Sequence, residues 1–282
     1  MQTETKLPDP LVATASPDRP NYAFGVMLDA KDFTDEQTYH RARLARALQC
    51  LHGAGTVAGL KVTKADGVAA TPDTQAHDEE IRVEPGLAID PVGRLIEIPR
   101  PWCISVKKWW QVTSADALTA ALKPPGRVVA DLFVRFVACG RGRTPAFASG
   151  PFDALDASVY SRVRDAFELR LVPRSEDAPP LPVDPWAAVT GGTVAARVDK
   201  AREATLGMWS TLVPEESATR HDRDHVPAIL DPKLDWLFLA RCTFPATAAP
   251  DRPTRTAAPA SVDNNGRQFS FAAGALLRIV GP

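Results

Sequence analysis

The side chains best spaced for chemistry stand in the string His221-Asp222-Arg223-Asp224-His225. Two histidines at i and i+4 share one face of a helix and can hold a divalent metal, with Asp222 or Asp224 assisting. Such a site would serve a metal-dependent hydrolase. The zincin pattern has Glu after its first histidine; here that position is Asp222, and no third strong ligand stands nearby. The alternative reading of the same residues is a charged, solvated segment. His52 falls at a helix end, where an imidazolium would complement the helix dipole, while His40 and His77 fall at polar positions.

Other sources of reactivity are less complete. Ser149 and Ser158 lack the G-x-S-x-G surroundings of a nucleophile elbow. Gly191-Gly192 has no following lysine, so it is not a phosphate loop. Gly140-Arg141-Gly142-Arg143 reads as a small basic turn that could hold a phosphate or an RNA backbone. With two arginines and no aromatic platform beside them, a strand-to-strand loop is the preferred reading. The carboxylate pairs Glu79-Glu80 and Asp153/Asp156 sit in polar stretches, and nothing in the sequence shifts one member's pKa as acid/base work requires. Trp109-Trp110 suits a sugar platform or an interface anchor, but core packing, one ring inside and the other over its rim, is the preferred reading. Tyr22 and Phe24 join them as interface candidates. Cys50, Cys103, Cys139 and Cys242 are widely spaced in apolar segments without a C-x-x-C pair, which predicts reduced core thiols. No cofactor is implied.

The elements that must position these residues are mainly strands. Residues 1–21 have no period and read as an extended arm, either frayed or ordered on a neighbouring subunit. Thr34-Asp35-Glu36-Gln37 predicts a capping box, opening a helix to about His52 whose apolar stripe is Tyr39, Leu44, Ala45, Leu48 and Leu51. Thr56–Thr63, Ile81–Glu84, Leu87–Ile89, Arg94–Ile98 and Trp102–Val106 read as strands, with Asp90-Pro91-Val92-Gly93 a type I turn. A short helix follows at Ser114–Leu122, stopped by Pro124-Pro125. Arg127–Cys139 is the longest strand candidate, and Ser158–Val172 ends in another, its stretch Ser161–Asp165 being helical or extended. Residues 174–233 read as an insertion with a helix from Thr193 to about Leu206, Leu234–Phe244 as a core strand and Ala246–Pro259 as an exposed loop. The expected fold is therefore α+β and mainly β: an antiparallel sandwich or partial barrel, with one N-terminal helix and a partly helical insertion. Residues 22–282 would form a single domain.

Composition narrows the function classes. The 282 residues are 45% hydrophobic and 24% charged, a globular balance, and their net charge of -1 gives no global field for nucleic acid or an anionic membrane. The 26 prolines exceed average usage of about 5% and disfavour a helical bundle. Residues 1–20 hold no apolar run of signal-peptide length, and no run reaches the roughly 18 apolar residues of a membrane span.

Three segments together resemble a family. Tyr22–Val62 carries FGVMLDAKDF, then Glu36-Gln37-x-Tyr39-His40 and Leu51-His52-Gly53-x-Gly55-Thr56-Val57-x-Gly59-Leu60. Val83–Ile98 carries Pro85-Gly86-Leu87-Ala88-Ile89-Asp90 and Gly93-Arg94-x-Ile96, and LFLAR at Leu237–Arg241 precedes Asp263-Asn264. This order resembles bacterial proteins encoded with phage-tail-like contractile injection systems. The shared residues are glycines, turns and core apolars, so they specify a fold rather than a reaction. The resemblance implies a structural subunit at or near the baseplate that contacts other subunits of the particle, copies of itself included. Charge and hydropathy, for their part, predict no nucleic-acid partner and no membrane span. Assembly would take place in the bacterial cytoplasm, before any release as an extracellular particle.

Overall fold

The computed structural model describes residues 5–13, 18–68, 76–146, 158–212, 236–271 and 275. In chain order these form β1 (Lys6–Leu7), α1 (Pro10–Ala13), α2 (Ala30–His52), β2 (Gly55–Gly59), β3 (Val62–Ala65), β4 (Glu80–Val83), β5 (Gly86–Ile89), β6 (Leu95–Ile98) and β7 (Trp102–Ser105). There follow α3 (Val106–Val112), α4 (Ala115–Ala120), β8 (Leu122–Lys123), β9 (Arg127–Pro145), β10 (Ser158–Pro173), α5 (Val194–Leu212), β11 (Leu237–Thr247), β12 (Thr254–Arg255) and β13 (Ser261–Asp263). The fold is α+β and mainly β, and every pairing between named strands is antiparallel.

Six short strands are one meander bent at its middle. β2, β5 and β6 make one sheet and β3, β4 and β7 the next. Across the bend the Leu60 amide donates to the Pro85 carbonyl at 3.1 Å and the Glu84 amide to the Lys61 carbonyl at 2.9 Å. The corner is tight because the chain carries glycine there. Gly59 has φ +63, and a Cβ on it would fall 2.1 Å from the Pro85 carbonyl oxygen. Its neighbour Leu60 holds φ 53 although it is not glycine, a conformation that survives only where surrounding contacts enforce it. Those contacts come from the C-terminal stretch. Arg267 donates to the Leu60 carbonyl at 2.7 Å, and the Asn264 side-chain amide meets both the amide and the carbonyl of Val62 at 2.9 Å.

The large sheet is built on β9. On one edge β10 pairs from Ala130 to Pro145 and β8 from Arg127 to Val128; on the other lie β11, up to Val134, and β1, at Ala138 and Cys139. Val128 to Val134 are all buried, as the β-branched and aromatic content of this stretch requires of a central strand. One apolar core joins the three sheets, with Leu60, Ile81, Ile96, Leu132, Leu239 and Phe244 among its fully buried members.

Several elements depart from the sequence expectation. α2 starts at Ala30, a turn earlier than Thr34. Asp29 is its N-cap, accepting from the amides of Lys31 and Asp32 while the Asp32 carboxylate accepts from the Asp29 amide. Thr34 is already helical and donates its hydroxyl to the Ala30 carbonyl. Only part of the expected stripe is the buried face: Ala45 faces inward with Thr38 and Ala42, while Leu44 is 56% and Leu51 71% exposed. The reason is close approach. At Gly93 (φ +89) a Cβ would fall 1.9 Å from the Ala45 carbonyl oxygen, a spacing that leaves no room for leucine. Part of the N-terminal arm belongs to this chain's own fold, since β1 extends the large sheet and Leu11 packs with Ala42 and Ala45. Ser161–Asp165 is strand throughout, and the stretch after Ala246 is partly structured, with β12 folding back onto β11. Cys139 and Cys242 are buried, but Cys103 is exposed and Cys50 half-buried, so only two thiols are in the core.

Candidate functional site

The expected site residues scatter. His221, Asp222, Asp224 and His225 lie outside the described residues. Among the described residues no group of three or more His, Cys, Asp or Glu is placed to hold a metal ion, and no helix is long and apolar enough to cross a membrane. His40, His52 and His77 are exposed. Of the two carboxylate pairs, Asp153 and Asp156 lie outside the described residues, and Glu79 is engaged by Arg255 and by the Ala260 amide at 2.9 Å.

Trp109 and Trp110 need correction as surface candidates. Both are in α3 and buried, edge to face at 5.9 Å and packed around Phe244. Their indole N–H groups donate to the carbonyls of Leu171 (2.9 Å) and Pro253 (3.2 Å). Large rings with a satisfied polar edge are stable inside a core, and in this fold neither ring presents a platform to solvent.

Buried charge serves structure. Asp90 is fully buried, receives the amides of Val92 and Arg94, and takes the Arg94 guanidinium at 2.6 Å. Burial pushes the Asp90 carboxyl up, against the pull of Arg94 and the two amides. Arg94 also reaches Asp9 at 3.2 Å, and Arg41 of α2 reaches the same carboxylate at 3.1 Å. The turn after β5 is thereby tied to both the arm and the helix. A second pair joins Arg241 to buried Asp131 through two hydrogen bonds, at 2.8 and 2.9 Å. Arg267, held by carbonyls and the Asn264 side chain, has its pKa lowered by burial to about 10. Burial likewise pushes the Cys242 thiol up to about 12, far from a reactive thiolate.

Two surfaces present their chemistry outward instead. The first is the start of α2 and the turn before it. Tyr22, Phe24, Val26, Met27, Leu28 and Phe33 are exposed, Phe24 completely and Met27 to 93%. Around them stand Asp29, Asp32, Asp35 and Glu36. Lys31 pairs with Asp35, and the Tyr22 hydroxyl donates to Glu36, which raises the phenol's pKa. Nothing in α2 before Thr38 is buried, so its first two turns stand off the body.

The second surface is the distal part of the β9–β10 pair. Gly140-Arg141-Gly142-Arg143 is strand here, not a turn, because β10 runs alongside it. Arg162 lies opposite Arg141, Tyr160 opposite Arg143 and Arg164 opposite Cys139, so one ribbon gathers four arginines and an aromatic ring. The Arg143 guanidinium sits 5.2 Å from the Tyr160 ring centre. Val159 and Val163 are exposed on the same ribbon. The signal for this cluster was the alternation of arginine at 141, 143 and at 162, 164, two residues apart as in a strand. Compared with known proteins, the chain matches no family model and no curated sequence at a significant level.

Proposed function

We propose that this chain is a structural subunit of a phage-tail-like contractile injection particle, at or near the baseplate, acting through protein–protein contacts rather than by catalysis. The observation that carries the contact role is the exposed apolar segment Tyr22–Leu28. Soluble monomers scatter single apolar residues on their surface, but a contiguous run of this kind marks a place where something docks. The placement of that run supports the particle assignment, because it lies in the first segment of the family resemblance, FGVMLDAKDF. The described buried carboxylates are consumed in ion pairs that tie elements together, a use suited to a rigid scaffold.

Gentle lysis of the native host, ultracentrifugation and probing of the pellet for this chain test the reading, with negative-stain imaging of the same pellet. Co-sedimentation with sheathed particles is expected. A chain that stays soluble while such particles pellet would refute the assignment.

A further inference from the structure

The two outward surfaces are complementary to each other. The start of α2 has four carboxylates against Lys31, with Phe24 and Met27 at its tip. The ribbon has Arg141, Arg143 and Arg162 exposed, while Val163, next to Arg162 in the strand, is exposed on the opposite face. The chain's net charge is -1, so among the described residues these are patches of opposite sign on a nearly neutral molecule. Six residues of β9 beyond Cys139 span about 20 Å at strand rise, long enough to seat the eight α2 residues before Thr38, which span about 12 Å, and part of the turn before them. Phe24, Met27, Arg141, Arg143 and Arg162 are all exposed.

We infer that the apolar, acidic start of α2 in one copy docks on the arginine-rich β9–β10 ribbon of a second copy. The inference rests on the assembly reading above and gives it a surface. Two different patches meet, so the contact is head-to-tail and grows into a ring or a filament according to its rotation. Phe24 and Met27 supply the apolar anchor, and the guanidiniums set orientation and speed encounter. Asp35 and Glu36 keep their present partners at the surface, where a further guanidinium can join them.

Sedimentation velocity of the purified full chain, over a wide concentration range at low and high salt, tests this. Larger species are expected at high concentration, and they should recede as salt screens the charges. Phe24→Ser with Met27→Ser, or Arg141→Glu with Arg162→Glu, should each weaken association by about 30-fold, as loss of an interface anchor does. All four side chains are exposed, so both variants keep the parent's thermal unfolding midpoint. Mixed together, the two variants should form a one-to-one pair and stop there, because one retains the ribbon and the other the α2 surface. A mixture without such a pair, or a parent that stays monomeric throughout, overturns the inference. A monomeric parent that still pellets with particles removes the self-docking alone and leaves the assembly reading standing. A parent that binds a labelled single-stranded oligonucleotide through Arg141 and Arg162 and does not self-associate would make the ribbon a nucleic-acid surface instead.

Discussion

The bent meander and the two projections handle similar residue types in opposite ways. At the meander's turn Arg94 lies between Asp90 and Asp9, and in the sheet behind it Phe244 is fully buried. At the start of α2, Phe24 has no cover, and along the ribbon Arg141 meets no carboxylate among the described residues. Apolar area in water costs about 25 cal/mol per Å² relative to burial. A fold able to enclose Trp109 and Trp110 could enclose one more ring. The difference separates residues that hold the molecule together from the exposed residues proposed above as docking surfaces.

Substitutions sharpen that division. The largest effect is expected at Phe244, where Phe244→Ala removes a ring packed against both tryptophans and should cost about 3–5 kcal/mol in chemical denaturation. Arg94→Met leaves Asp90 and Asp9 buried without their shared cation and should cost about 3 kcal/mol by the same measurement. Asn264→Ala strands the Val62 amide and carbonyl at the corner and should cost about 2 kcal/mol. A smaller effect concerns pH. Burial tends to raise the Glu168 carboxyl, but hydrogen bonds and charge from Lys6 and Arg135 outweigh it and hold the group below its ordinary 4.5. A carboxylate whose pKa is lowered by folding stabilises the fold above the unfolded value, and that contribution is lost as pH falls through the folded one. The melting midpoint of the parent should therefore drop more steeply below about pH 4.5 than that of Glu168→Gln. At the other extreme, Phe24→Ala should change stability by no more than about 0.5 kcal/mol, as exposed positions do. A large loss there would erase the division between body and projection.

Much of the body was legible in the sequence. The strands from Gly55 to Ser105, the long β9 and the core strand β11 follow from period-two alternation and β-branched runs. The turn Asp90-Pro91-Val92-Gly93 was readable from residue types, but its ion pair with Arg94 was not, since spacing alone cannot say that a turn is buried. α2 was found with the wrong cap, because Asp29 and Thr34 both offer a capping oxygen and only tertiary placement of the preceding turn decides between them. Periodicity marked Leu44, Leu48 and Leu51 as an apolar face, yet it carries no information on which neighbour covers that face. Close packing at Gly93 buries Ala45, a member of that stripe, rather than its leucines. The arginine ribbon was missed because its two halves are about twenty residues apart in sequence and meet only through strand register. For the tryptophan pair core packing is the preferred reading, and both rings are in the core; the interface-anchor alternative arose because adjacency in sequence says nothing about depth.

The start of α2, as proposed above, is a docking surface of an assembly subunit. The most direct measurement replaces the native chain in its host with Phe24→Ser/Met27→Ser and compares how much of each chain sediments with sheathed particles. The variant, with an unchanged melting midpoint, is expected to remain largely in the soluble fraction while the parent pellets. Equal sedimentation of variant and parent would contradict the claim.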